Sequence, residues 1–158
     1  MDLVVDIADF AVTNDSRTAL VTHSLGSCIG VTIWDPQTRV GGMLHYMLPD
    51  SSLSPAKAKA NPAMFANTGV PAMFRSAYEL GAGKKRMIVK VAGGSQLLDD
   101  NGTFNIGKRN YVMLRKLFWK NGILIDGEDV GGSISRTLRL QVDTGRVTLK
   151  TRNGETEL

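Results

Sequence analysis

The stretch CIGVTIWDPQTRVGGMLHYML, residues 28–48, consists of two apolar runs joined by a turn. The first run is Cys28 to Trp34, the second is Val40 to Leu48, and DPQT between them is rich in turn-forming residues. Short runs of β-branched and aromatic residues bounded by turn residues are typical of strands. The stretch therefore predicts an antiparallel β-hairpin.

The length of the hairpin loop decides how its two strands pair. If Asp35 and Thr38 close a two-residue loop, Cys28 lies directly opposite His45, with Cβ atoms about 4.5–5.5 Å apart. A loop longer by two residues leaves the pair as diagonal neighbours on one face. A loop longer by one residue places them on opposite faces unless a bulge, for which Gly41-Gly42 offers a site, corrects the register.

A thiol and an imidazole on one face form a candidate catalytic pair. An imidazole can accept the thiol proton and so activate Cys28, the only cysteine of the chain, as a nucleophile. Thr22, on the preceding strand, can orient His45, whereas His23 points to the opposite face from Thr22. Taken alone, a single cysteine is more often a small buried hydrophobe, and His45 can equally be a hydrogen-bonded core histidine.

The turn before Cys28 suggests where an oxyanion would be stabilised. Gly26 permits a tight turn, and the backbone N–H groups near Ser27 and Cys28 can then donate to an oxyanion. The alternative role of Ser27 is hydrogen bonding within the turn itself.

Strand patterns outnumber helical patterns in the rest of the chain. Strands are predicted at 2–12, 19–22, 87–92, 123–125, 137–142 and 147–150, with a loop at 49–59, helical segments at 61–80 that TGVP (68–71) breaks or kinks, and a helix at 106–120. These elements predict an α+β fold, a largely antiparallel sheet or sandwich with two main helices. We expect one domain over residues 1–158, with 151–158 as a flexible tail.

Composition narrows the functional classes. The chain has 158 residues, a formal net charge of +4, one cysteine and two histidines. The weak basic bias does not indicate nucleic-acid binding, and no apolar run reaches the length of a membrane span. The single cysteine excludes an internal disulfide, and the N-terminus lacks a signal-peptide pattern. We therefore expect a soluble cytoplasmic protein without membrane insertion, metal or cofactor.

Five motifs resemble those of the CheD family, the chemoreceptor glutamine deamidases of bacterial and archaeal chemotaxis. They are LVTHSLGSCIGVTIWD, GGMLHYMLPDS, VAGGSQLL, NIGKRN and GGSISRTLRLQVDTGRV, and they run from about Leu20 to Lys150. The resemblance implies a fold similar to the catalytic domain of cytotoxic necrotising toxins. It also implies a triad in which Cys28 is the nucleophile, His45 the base and Thr22 the residue that orients His45.

The same resemblance implies a reaction and partners. Receptor glutamines would be hydrolysed to glutamate through a cysteine thioester, with glutamyl methyl ester hydrolysis as a secondary activity. Chemoreceptor cytoplasmic helices would be the substrate and a CheC-type phosphatase a regulatory partner. Gly93 and Gly94 are then candidates for lining a groove for a foreign helix, and their alternative role is an ordinary turn between a strand and a loop. The alternative is a non-catalytic adaptor that regulates CheC or receptors by binding alone.

Overall fold

The computed structural model describes residues 1–96 and 105–158. In chain order its strands and α-helices are β1 (Asp2–Val4), β2 (Asp9–Thr13), β3 (Ala19–Leu25), β4 (Ile29–Trp34), β5 (Gly41–Tyr46), α1 (Pro55–Ala60), α2 (Ala66–Glu79), β6 (Ile88–Gly93), α3 (Ile106–Lys120), β7 (Gly127–Val130), β8 (Arg136–Gln141), β9 (Val147–Thr151) and β10 (Gly154–Glu157). Short 3₁₀ turns lie at Ser51–Leu53, Pro62–Met64 and Lys84–Arg86.

The described strands form two five-stranded sheets. The first sheet has the order β1-β3-β8-β9-β10 and the second has the order β2-β5-β4-β6-β7. Pairing is antiparallel except between β1 and β3 and between β6 and β7. The two longest described helices are α2 and α3, so the predicted α+β class with two main helices is confirmed.

Alternation along β4 and β5 sorts the core into two layers. Val31 and Leu44 face α2 and α3, in a cluster that also holds Met73 and Phe118. Met43 faces the other way and packs with residues of the first sheet. His45 has the same parity as Met43, so the period of two in a strand directs its side chain into the space between the sheets.

The hairpin closes with a four-residue loop, not with the two-residue loop that would place Cys28 directly opposite His45. Trp34 pairs with Gly41, and the N–H of Asp35 donates to the carbonyl of Val40 (2.9 Å). His45 consequently pairs with Gly30 and not with Cys28. The register differs by two residues, which is the alternative that keeps Cys28 and His45 on one face as diagonal neighbours.

The buried carboxylate of Asp35 explains the longer loop. It accepts hydrogen bonds from the backbone N–H groups of Gln37 and Gly83 (2.8 Å each) and forms an ion pair with Arg86 (2.8 Å). Burial pushes the pKa of Asp35 upward, but the hydrogen bonds from Arg86 and from these N–H groups hold the pKa well below its usual range. A distant part of the chain thus fixes the loop that sets the register.

Two helical predictions differ from the structure. The expected break at 68–71 is absent, because α2 continues from Ala66 through Pro71, where the proline removes one intrahelical hydrogen bond. Burial of Val70, Met73 and Phe74 against the second sheet offsets that loss. The predicted loop at 49–59 contains a 3₁₀ turn and α1, whereas α3 has its predicted bounds, Ile106–Lys120.

Two strand predictions and the predicted C-terminal tail are also corrected. The expected strand at 2–12 is divided between the sheets, since β1 pairs with β3 and β2 pairs with β5. Residues 123–125 are not a strand, and β7 begins at Gly127. The expected flexible tail is wrong because Gly154–Glu157 pairs with β9, which extends the first sheet.

Within the described ranges, no helix has both the length and the apolar character needed to cross a bilayer.

Candidate active site

Cys28 lies in a turn that connects the two sheets. The turn, residues 26–28, follows β3 of the first sheet and precedes β4 of the second. Its residues are partly exposed, whereas the strand residues on either side, Leu25 and Ile29, are fully buried. The side chain of Cys28 packs against the cluster between the sheets. Cys28 is therefore a partly exposed residue at the edge of the layer that contains His45.

Thr22 and His45 are brought together from different sheets. The hydroxyl Oγ1 of Thr22 lies 2.7 Å from Nδ1 of His45, and both side chains are fully buried. The same hydroxyl donates its single proton to the carbonyl of Val5 (2.6 Å). It can therefore only accept from His45, which places the imidazole proton on Nδ1 and leaves Nε2 unprotonated.

His45 Nε2 is a free base in a buried position. Among residues 1–96 and 105–158, it is one of two buried side-chain polar atoms without a hydrogen-bond partner, the other being Oδ1 of Asn110. Leaving a buried polar atom unpaired costs about 1–3 kcal/mol, and such atoms mark places where function sets the requirement. His23, by contrast, is exposed, as the alternation along β3 predicts.

The electrostatics describe an uncharged pair. Burial lowers the pKa of His45 to about 4, against the opposing charge of Asp6. Burial raises the pKa of the Cys28 thiol. At neutral pH the resting site therefore holds a thiol and a neutral imidazole, so His45 is suited to remove the thiol proton during the reaction.

Gly93, the last residue of β6, and Gly94, which follows it, contact the Cys28 turn. The N–H of Gly94 donates to the carbonyl of Cys28 (2.9 Å). A Cβ on Gly93, whose φ is +113°, would lie 2.3 Å from that carbonyl oxygen, so only glycine fits this approach. Gly94 also borders a surface cavity of about 350 Å³, lined in addition by Gln96, Asn105, Lys108, Tyr111, Val130, Gly131 and Gly132. Two residues of the VAGGSQLL motif, Leu97 and Leu98, lie outside the described residues.

Arg136 ties the glycine loop to the first sheet. Its buried guanidinium donates to Ser95 Oγ (2.6 Å) and to the carbonyl of Gly131 (2.8 Å) and pairs with Asp129 (2.8 Å). Ser95 in turn donates its N–H to the carbonyl of Gly26 (2.8 Å). The GGSISR motif, for which the sequence offers no role, thus stabilises the turn that carries the cysteine.

Asn110 is a site residue that the sequence analysis does not select. The inward side of α3 is formed by Gly107, Asn110, Leu114 and Phe118, all buried. An amide at a buried position of an apolar stripe is the signal that could have identified it, because buried polar groups need specific partners.

Comparisons with known proteins identify the family of the chain. The family model described as "CheD chemotactic sensory transduction" matches residues 47–151. A relative from Syntrophus aciditrophicus, "Probable chemoreceptor glutamine deamidase CheD 1", is 56% identical over 97% of this chain and 96% of its own length. A relative from Solibacter usitatus, "Probable chemoreceptor glutamine deamidase CheD", is 47% identical over 99% of this chain and 92% of its own length.

The chain therefore belongs to the class of two-sheet α+β domains that combine a buried imidazole with a partly exposed cysteine. Within that class, the chain belongs to the CheD family, which confirms the predicted membership. The family model begins at Met47, after Cys28 and His45, whereas the alignments with the relatives cover nearly the whole chain. Among solved structures, a Neisseria meningitidis protein of the DUF152 family matches with a TM-score of 0.43 at 9% identity over 84% of this chain and 62% of its own. That likeness is too weak to carry an argument, and the toxin-like fold stays a prediction.

Proposed function

We propose that this protein hydrolyses glutamine side chains on the cytoplasmic helices of chemoreceptors to glutamate, with Cys28 as nucleophile, His45 as base and Thr22 as the residue that orients His45. The observation that carries the proposal is the buried, unpartnered Nε2 of His45, whose tautomer is set by the Thr22 hydroxyl. The names of the relatives supply the substrate class.

The reaction follows from the protonation states of the pair. His45 Nε2 takes the thiol proton as Sγ of Cys28 bonds to the glutamine Cδ, and the carbonyl electrons move onto oxygen. Collapse of this intermediate expels ammonia, which receives the proton from His45, and leaves a thioester. His45 then removes a proton from water, and the resulting hydroxide attacks the thioester to release glutamate and restore the thiol. A glutamyl methyl ester would react by the same steps with methanol as the leaving group.

The position of Cys28 supports a macromolecular substrate. The thiol lies in a partly exposed turn at the protein surface, and Gly26 and Ser27 beside it are equally accessible. Gly94, which donates its N–H to the Cys28 carbonyl, also borders the surface cavity described above. We propose that the receptor helix lies across Gly26 and Ser27, while Gly93 and Gly94, which are buried, act behind them by holding the Cys28 turn.

The proposal also includes the cytoplasm as the place of reaction and a CheC-type phosphatase as a regulatory partner. Both are supported by membership of the family. Titration calorimetry of this chain with a CheC-type phosphatase, with and without a receptor fragment, tests the partner. We expect binding that the receptor fragment weakens by competition, and no binding would contradict this part.

Mass spectrometry of a purified chemoreceptor cytoplasmic fragment tests the reaction. With the wild-type chain we expect a gain of about one mass unit at specific glutamines, located by tandem spectra. The gain should vanish with Cys28→Ala while binding of the fragment persists. A gain that survives Cys28→Ala contradicts the mechanism. Binding without any gain from the wild type would instead support a non-catalytic adaptor.

A further inference from the structure

All three carbonyl groups of the Cys28 turn accept a hydrogen bond from outside the turn. The carbonyl of Gly26 accepts from the N–H of Ser95 (2.8 Å), and that of Cys28 accepts from the N–H of Gly94 (2.9 Å). The carbonyl of Ser27, between them, accepts from the side-chain amide of Asn110 (2.9 Å). Asn110 is therefore the one support of the three that a substitution can remove without altering the backbone.

The amide of Asn110 contacts the chain on both sides of the candidate pair. One N–H of Nδ2 reaches the carbonyl of Ser27, and the other reaches that of Met47, two residues after His45, also at 2.9 Å. The side chain is fully buried. A flipped amide would place its oxygen against two carbonyl oxygens, so the amide orientation is fixed.

The hydrogen bond to Ser27 also fixes the N–H of Cys28. The Ser27 carbonyl and the Cys28 N–H belong to one planar peptide unit, and no described peptide bond is cis. In a trans unit the two groups point in opposite directions. A donor that holds the Ser27 carbonyl on the α3 side therefore turns the Cys28 N–H away from α3. Burial raises the pKa of the Cys28 thiol, and the backbone N–H of Cys28 has a smaller, opposite effect that lowers that pKa.

We infer that Asn110 is a positioning residue that holds the Cys28 N–H as the oxyanion donor. The inference rests on the proposed function, in which Sγ attacks a carbonyl carbon. When the S–C bond forms, the carbonyl electrons move onto oxygen and the thiol proton passes to His45 Nε2. The N–H beside the sulfur donates to that oxygen, and a donor already in place needs no reorganisation when the charge develops.

Two reactions at the same sulfur atom test this role. Acetylation by p-nitrophenyl acetate forms an S–C bond at a carbonyl carbon, creates an oxyanion and expels nitrophenolate. Alkylation by iodoacetamide displaces iodide at a tetrahedral carbon and creates no oxyanion. Both consume the thiol proton, so both depend equally on thiol acidity and access. Only acetylation depends on the oxyanion donor.

The variants are Asn110→Leu, which keeps the volume without a charge or a donor, and Asn110→Ala. In both we expect the acetylation rate to fall by about 10²-fold. The alkylation rate and its pH profile should stay within about twofold of the wild type. The matched control is Tyr46→Phe. It removes a buried hydrogen bond to the backbone carbonyl of Asn110 (2.7 Å) and leaves the side chain of Asn110 intact. This control should change neither rate.

Three outcomes would overturn the inference. The first is an unchanged acetylation rate. The second is an equal fall of acetylation and alkylation, which would show a general loss of thiol reactivity. Loss of cooperative thermal unfolding in both variants would make Asn110 a structural residue. Deamidation of a receptor fragment, measured in parallel, separates the two proposals. A wild type that never deamidates contradicts the proposed function, while a selective loss of acetylation still supports the role of Asn110.

Discussion

The two ends of the β4–β5 hairpin each contain a buried polar side chain, and the two side chains differ in how many of their polar atoms are hydrogen-bonded. At the loop end, the carboxylate of Asp35 receives hydrogen bonds from Arg86 and from backbone N–H groups. At the open end, His45 has its Nδ1 paired with Thr22 and its Nε2 unpaired. The loop end is built for stability, whereas the open end keeps a base available at a cost in stability.

The largest effect should come from removing the base at the open end. His45→Gln keeps a polar side chain but no base, so we expect deamidation to fall by about 10²–10⁴-fold. The rate of glutamate formation on a receptor fragment measures this loss. His23→Gln is the matched control, because His23 is exposed, and it should leave the rate unchanged. Equal losses in both variants would contradict the role of His45.

A substitution at the loop end should lower the free energy of unfolding and leave the catalytic activity unchanged. Asp35→Asn removes the charge that pairs with Arg86, and we expect the free energy of unfolding to fall by about 2–3 kcal/mol. Denaturant unfolding measures the change. Asp143→Asn alters an exposed carboxylate in another turn and should have little effect. A loss of activity per folded molecule in Asp35→Asn would show that the two ends are coupled.

Thr22→Val tests how the base is oriented. It keeps the shape of the side chain and removes the oxygen that accepts from Nδ1, so His45 can adopt the wrong tautomer. We expect kcat to fall by about 10–100-fold, equivalent to about 1.4–2.8 kcal/mol. Thr22→Ser should restore most of the rate. Thr32→Val, at another buried strand threonine, should change kcat little, and a comparable drop there would contradict a specific role for Thr22.

Acidification should first remove the contribution that His45, at the open end, makes to stability. The pKa of His45 is lowered to about 4 in the folded chain, against about 6.5 when unfolded. The unfolded state therefore binds more protons between these values, and stability falls as pH decreases through this window. From pH 7 to pH 5 we expect a loss of about 2 kcal/mol from this group.

His45→Gln serves as the comparison for that measurement. Because glutamine does not titrate, the variant should lack this part of the pH dependence while keeping the contribution of Asp35. The pKa of Asp35 is depressed, so its contribution is present above pH 4 and is lost only below it. Identical pH profiles for wild type and variant between pH 7 and pH 5 would contradict the neutral, buried state of His45.

The sequence determined what local pattern and side-chain chemistry can specify. Apolar spacing gave the bounds of α3, and alternation in the hairpin put Cys28 and His45 on one face under either of two registers. Alternation also placed Thr22 and His23 on opposite faces of their strand, so that only one of them could contact His45. Registers that differ by two residues keep the same parity, so alternation placed Cys28 and His45 on one face while the loop length was still open.

Tertiary structure decided what depends on distant partners. Arg86, 51 residues from Asp35, fixes the loop and thus the register. Continuation of α2 through Pro71 and pairing of β10 depend on neighbouring elements that propensity does not describe. Asn110 stands 83 residues from Ser27, and only the packing of α3 on the second sheet brings its amide to the Cys28 turn. The sequence supplied the reactive groups, and long-range packing set their distances and hydrogen bonds, because those depend on how elements far apart in the chain meet.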